Sequence, residues 1–265
     1  MISKLQKYKF LFSELVKRDF KKKYKRTALG MLWSVLSPLL TLLIMSIVFS
    51  SLFGRNVEHF TIYLFCGNIV FAFFNDSTHQ GMSALLGNAG IFTKINVPKY
   101  LFLFSKITSS LINFILTFGV FLIFCAIDGV PFTPLFISLI FPILCMVIFN
   151  AGLGLILSAL YVFFRDIQYL WSVFTTLIMY LSAIFYDPYA ISFSVLGLPF
   201  ERLLLLNPLY VFIKYFRLVT IGINGEGPMI PSLQYHLLCL GYAFLTLFIG
   251  AFIYKKYNHK FLYYV

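Results

Sequence analysis

Acidic residues are scarce in this chain. Nine Asp and Glu stand against 21 Lys and Arg in 265 residues, a formal net charge of +12. Charge of either sign is absent from residues 28–53, 107–127, 129–164, 167–186 and 227–254. A helix needs about 20 apolar residues to cross roughly 30 Å of hydrocarbon, and only helices or closed barrels satisfy their backbone there. Cysteine is scarce too. Cys66, Cys125, Cys145 and Cys239 fall inside the uncharged runs or a sixth, shorter one, without metal-ligand spacing. They suggest neither a metal site nor a disulfide framework and read as small packing residues. A phosphate-cradling G-x-x-x-x-G-K-[ST] loop is missing, since residues 87–94 have the wrong spacing, and so are HExxH, GxSxG and a Cys/His pair. No catalytic site is read on this chain, and any nucleotide use falls to a partner. Ionisable groups near the bilayer centre, which an ion-coupled carrier needs, are lacking as well. Asp76 is the only intramembrane acid, and it lies toward one end of its span; with His79 it either contacts a substrate on its way in or makes interfacial hydrogen bonds.

What is present is a polytopic plan. The fold class is all-α integral membrane, a single transmembrane domain over 1–265. Six spans are expected at 31–53, 60–80, 102–127, 134–163, 167–186 and 233–254. Residues 1–28 precede them as an amphipathic interfacial helix: Tyr8, Leu11, Phe12, Leu15 and Val16 form an apolar stripe opposite Lys and Arg. Prolines and glycines cut the apolar stretch 187–231, and residues 203–213 are too short to cross, so short re-entrant outer helices are expected between spans 5 and 6. With both termini cytoplasmic, 17 basic residues lie inside and only Arg55, Arg202, Lys214 and Arg217 outside, a strong positive-inside pattern. The charge is thus a topology and lipid-headgroup signal, and no soluble segment is long enough to bind nucleic acid.

Within this plan a few residues bear chemistry. Asn68, Asn113 and Asn150 sit deep in three spans, where interhelical hydrogen bonding is the default, while Gly152, Gly154 and Ser158 allow close helix approach. Trp33, Phe49, Tyr180, Phe185 and Tyr186 are candidate channel-wall residues, against the plainer reading of an interfacial aromatic belt. Arg18, Lys22, Lys25 and Arg26, beside the Leu29–Gly30 turn, could take a lipid headgroup on loading or could serve topology alone. Arg165 and Asp166, adjacent opposite charges at an inner joint, read as structural.

Residues 16–38, VKRDFKKKYKRTALGMLWSVLSP, strongly resemble the opening string of ABC-2 type permeases that export polysaccharides such as O-antigen, capsule and teichoic acid. Three further strings follow in the family's order: Lys94-Ile-Asn-Val-Pro98, Phe164-Arg165-Asp166-Ile167, and Asn207-Pro208 through Arg217. Ala183 is a departure, in a stretch where the family often has Ser-Pro, and it leaves the outer end of span 5 open. The resemblance implies a homodimer in the inner (plasma) membrane joined to two copies of a separate ABC ATPase, which carries the ATP and Mg; this chain needs no cofactor. The cargo it implies is a lipid-linked polysaccharide. It further implies an ATPase-coupling helix over 82–93, with Met82, Leu85, Leu86, Gly87, Ile91 and Phe92, followed by Lys94, and an exit gate that includes Asn207, Pro208 and Arg217. The alternatives are an ABC-2 permease for another amphiphile, a membrane transferase, or an ion-coupled carrier.

Overall fold

Uncharged runs become the long helices. The structure is a computed structural model that describes residues 2–25, 27–53, 59–95, 97–190, 194–195, 198–223 and 227–264. Helix α1 (Ile2–Tyr24) leads through a turn at Gly30–Leu32 into α2 (Trp33–Phe53). Next come α3 (Phe60–Met82), a single turn of α4 (Ala89–Phe92), α5 (Tyr100–Ile127), α6 (Ile140–Phe163) and α7 (Ile167–Leu181). A two-residue antiparallel pair, β1 (Ser194–Val195) with β2 (Leu198–Pro199), sets Val195 opposite Leu198. Then follow α8 (Phe200–Leu204), α9 (Pro208–Thr220), α10 (Leu233–Tyr257) and α11 (Phe261–Tyr264).

Five segments among the described residues are long and apolar enough to cross a membrane: Gly30–Phe49, Phe60–Met82, Tyr100–Ile127, Pro134–Phe163 and Leu233–Tyr257. The chain is an all-helical, multi-pass membrane protein. The fifth expected span, 167–186, differs. Helix α7 has 15 residues, about 22 Å at 1.5 Å per residue, short of the roughly 30 Å core. It stops at Leu181 and not at 186. Ala183 stands at φ +50°, a left-handed conformation through which a right-handed helix does not continue.

Helices α3, α6 and α9 form the interior. Phe74 of α3 packs on Phe149 of α6, which in turn meets Phe212 of α9. Helix α10 lies almost in contact with α6: a Cβ on Gly152 would collide with the backbone of Thr246 and Leu247, and one on Gly250 with the carbonyl of Gly152. Close approach of this kind gains packing where water supplies no driving force between helices. Gly152 was legible as a packing residue; its partner Gly250 was not. In contrast, α2 and α7 leave Leu43, Ile44, Ile47, Leu170, Val173 and Leu177 exposed. One end of the bundle gathers α1, residues 82–99, the α6–α7 joint and α11, and carries most of the described basic residues. The other gathers residues 128–133, the turn after α7, α8 and the loop after α9.

Candidate functional site

At the basic end, α1 is fastened to its neighbours by charge. Arg18 donates to Asp19 Oδ1 at 2.7 Å and to Asn88 Oδ1 at 2.7 Å. Asn88 in turn donates to the Ala84 carbonyl at 2.8 Å. The buried Asp19 carboxylate also meets Lys106 Nζ at 3.3 Å and accepts from Ser105 Oγ at 3.3 Å. Arg18, read from sequence as a headgroup ligand, thus ties α1 to the 86–92 segment. Lys22 and Lys25 are exposed, as a headgroup contact requires, while Arg26 lies outside the described residues. Gly30 sits at φ +53°, where glycine has no Cβ penalty, and its N–H closes the turn on the Thr27 carbonyl at 3.2 Å; Leu29 is exposed.

The 82–94 segment is a 3-10 turn at Leu86–Asn88 followed by α4. Met82, Leu85 and Phe92 point inward, Leu86 and Ile91 are half-buried, and Gly87 and Lys94 are exposed. Phe92 packs on Phe102 with ring centroids 6.0 Å apart. Lys99 lies 5.7 Å from the ring centroids of both Phe92 and Phe261 and donates to the Asn258 carbonyl at 2.9 Å. Burial lowers its pKa. Residues 86–92 therefore touch α1 through Asn88 and the α10–α11 tail through Lys99. The apolar side chain that this segment presents outward is Ile95, 51% exposed, which sequence reading passed over. Arg165 and Asp166 are both exposed, and no ion pair joins them among the described residues. Backbone bonds from Ile167 and Gln168 to the Phe164 and Arg165 carbonyls hold that joint instead.

Four of the five wall candidates gather at the opposite end. Phe49 stacks on Phe185 at 4.8 Å, and Tyr180 lies 6.0 Å from Phe185 with 59% of its surface exposed. Tyr186 follows in the same turn, half-buried, its ring 6.5 Å from Phe200. Trp33 stands apart: 16 residues before Phe49, it is about 24 Å away along α2.

Helix α9 holds the end of α7 from two places. Asn207 caps α9, accepting from the Leu209 N–H at 3.0 Å, with Pro208 in the first turn, where a missing N–H costs nothing. The Asn207 amide donates to the Leu181 carbonyl and to Ser182 Oγ, at 3.2 and 2.9 Å. Arg217, 3% exposed, donates to the carbonyls of Ala183 at 2.8 Å, Ile184 at 3.1 Å and Tyr63 at 3.3 Å. Its guanidinium carbon lies 3.4 Å from the centroid of the Tyr63 ring, whose hydroxyl donates to the Tyr186 carbonyl at 2.6 Å. Gly67 makes room for this: a Cβ there would stand 3.0 Å from Ile184 and 3.2 Å from the Arg217 guanidinium. Nothing in the sequence marked Gly67 or Tyr63, since their roles exist only once the turn has folded against α3. Nearby, Lys214 donates to the Tyr189 hydroxyl at 2.8 Å, which donates to Glu201 at 2.7 Å. Burial pushes the Lys214 ammonium down to about 8, with Glu201 opposing. Burial and then Glu201 raise Tyr189.

Known proteins share this pattern of residues. The family profile described as ABC-2 type transporter matches residues 11–221. The O-antigen export system permease protein RfbA of Myxococcus xanthus is 28% identical over 188 residues, covering 70% of this chain and 72% of the relative. A Klebsiella pneumoniae protein of the same name is 26% identical over 259 residues, 95% of each chain. The polysialic acid transport protein KpsM of Escherichia coli is 23% identical over 242 residues, 90% of each.

Proposed function

Because this chain belongs to the ABC-2 type transporter family, we propose that it is the permease subunit of an ATP-driven exporter that moves a lipid-linked polysaccharide out across the inner (plasma) membrane. The observation that carries the reading is the end-to-end similarity to permeases named for O-antigen and polysialic acid, spanning 90–95% of the chain. Two copies of this chain pair through the faces of α2 and α7 that leave Leu43, Ile44, Ile47, Leu170, Val173 and Leu177 exposed within one protomer. The aromatic cluster of Phe49, Tyr180 and Phe185 then stands beside the path; aromatic faces suit the apolar side of a sugar ring.

The basic end, with both chain termini, faces the cytoplasm. There two copies of a separate ABC ATPase, carrying ATP and Mg, seat on residues 82–95. Ile95, Gly87 and Lys94 meet the ATPase, while Phe92 and Leu85 pass the force inward. Lys22 and Lys25 draw the phosphate of the carrier lipid out of the headgroup layer, and Asn207, Pro208 and Arg217 shape the exit. Surrounding membrane lipids are the remaining partners.

ATPase activity of the reconstituted complex tests this reading. A lipid-linked polysaccharide is expected to stimulate hydrolysis several-fold. Stimulation by an unrelated drug-like amphiphile and not by the glycan would replace it.

A further inference from the structure

Asn150 of α6 is one of the deep amides for which the sequence suggests a bond across helices, and in this packing it makes none. Its amide nitrogen and its carbonyl oxygen are both buried without a hydrogen-bond partner among the described residues, and so is the Ser77 hydroxyl of α3. The two side chains share one stretch of one interface. Helices α3 and α6 run the same way, from the far end to the basic end. They meet where Phe74 packs on Phe149, and again where a Cβ on Gly81 would stand 3.1 Å from the Gly154 Cα. Between those contacts, Ser77 lies one turn before Gly81 and Asn150 one turn before Gly154, on the same helix faces.

A buried amide or hydroxyl without a bond is costly, above all at membrane depth. Water does not relieve the cost here. Both residues are 0% exposed, so no space large enough for a water molecule adjoins them. Other faces of the same stretch of α3 are bonded: Gln80 donates to Ser110 of α5 at 3.0 Å, and Thr78 accepts from Trp171 of α7 at 3.1 Å. The idle Ser77 hydroxyl lies on the face toward α6. That face is also suited to moving. The Gly81–Gly154 contact is backbone on backbone, with no side chains to interlock. On another face α6 is seated on α10 through Gly152 and Gly250, and the far end of α3 is held by Arg217 on the Tyr63 carbonyl. The basic end of α3 instead runs on into the 82–94 segment. There the Ser83 N–H donates to the His79 carbonyl at 3.3 Å and the Ala84 N–H to the Gly81 carbonyl at 3.1 Å. A push on that segment therefore reaches α3 through its own backbone.

We propose that the basic-end half of α3 takes two positions on α6, and that Ser77 and Asn150, idle in the one seen here, hydrogen-bond to each other in the second. Pairing two idle groups offsets the contacts that the shift gives up, which keeps both positions populated. Gln80 and Lys23 are long enough to hold Ser110 and Asp76 through a small shift. The two positions belong to the chain alone; that ATP hydrolysis selects between them rests on the export reading.

The test is the distance between spin labels at Ser83→Cys and Lys255→Cys, read by electron paramagnetic resonance in the full chain reconstituted in vesicles. Ser83 closes the basic end of α3, and Lys255 lies on α10, which is seated on α6. Both positions are exposed, while Cys66, Cys125, Cys145 and Cys239 are buried and take no label. Labelled chain is diluted in unlabelled chain, so that only pairs within one protomer are read. The chain is expected to give two distances, and its complex with the ATPase, trapped with ADP and vanadate, to enrich the second. Ser77→Ala and Asn150→Leu each remove an idle polar group and so leave the fold intact. Each should lower the share of the second distance about fivefold, as loss of one interhelical bond of ordinary strength would, and the double variant should fall no further. A single distance in the wild-type chain and in the trapped complex alike would overturn the proposal. So would variants whose effects are nil or multiply, because each side chain then acts alone. If the complex hydrolyses no ATP, the export reading falls and the chain alone decides: two distances uphold the shift, and one overturns it.

Discussion

Two polar sites at opposite ends of the bundle face one problem, polar groups in a largely apolar surround, and solve it by different means. At the basic end, charges meet charges across elements: Asp19 with Lys106, Asp76 with Lys23. Part-exposed pairs such as Lys23–Asp76 contribute little each and re-form readily. At the far end Arg217 makes no ion pair among the described residues and gives its N–H groups to three backbone carbonyls from two segments. Breaking that arrangement leaves buried acceptors with no substitute. The first site is suited to rearranging and the second to holding its shape, which fits the proposed exporter, driven from the first end and opening at the second.

The largest expected effect sits at the holding end. Arg217→Met should destabilise by about 3 kcal/mol or more, since each orphaned buried carbonyl costs about 1–3 kcal/mol, and most folded protein should disappear from size-exclusion profiles in mild detergent. Arg217→Lys, which keeps the charge but not the planar fork, should recover only part of it. A wild-type profile for Arg217→Met would erase the contrast between the ends.

Asp19→Asn comes next. It leaves Lys106 and Arg18 without their carboxylate; breaking a fully buried pair costs about 3–5 kcal/mol, and the partial exposure of both cations brings the expected loss to about 2 kcal/mol, read as a lower midpoint of thermal unfolding. Smaller still, a double-mutant cycle over Arg18→Ala and Asn88→Ala should give about 1 kcal/mol of coupling, within the usual range for contacting pairs. Additive effects would show that α1 and the 86–92 segment are not tied. Ile95→Ser should shift stability by less than about 0.5 kcal/mol, as surface changes do, yet lower the glycan-stimulated part of ATP hydrolysis severalfold. Phe92→Asp is the sharper-looking change and the poorer test, because Phe92 is packed on Phe102 and its loss would disturb the fold as well.

The contrast also marks what the sequence could carry. Apolar run length and basic asymmetry are properties of the chain itself, so the helical, multi-pass plan and the family were legible from strings such as residues 16–38 and 207–217. The direction of a side chain on a short broken helix is not such a property. The 82–93 segment was singled out in the sequence, but that Phe92 points inward and Ile95 outward depends on where the 3-10 turn at Leu86–Asn88 ends. Arg217 was singled out as a gate residue from its string, whereas its partners, Tyr63 and the carbonyls of 183–184, are more than 30 residues away in sequence. For the early stop of α7 the sequence offered only the departure at Ala183, which left the outer end of that span open without saying where the helix ends. Ala183 is a good helix former, and only its tertiary partners hold it at φ +50°.

Transport itself tests the central claim most directly. Proteoliposomes would hold this chain with its partner ATPase and a lipid-linked polysaccharide on the side of ATP hydrolysis, with a glycosidase confined to the other side. The account expects the glycan to become digestible only when ATP is hydrolysed, and to stay protected in the Ile95→Ser complex even though that complex assembles. Digestion without ATP, or protection unchanged by ATP in the wild-type complex, would contradict it.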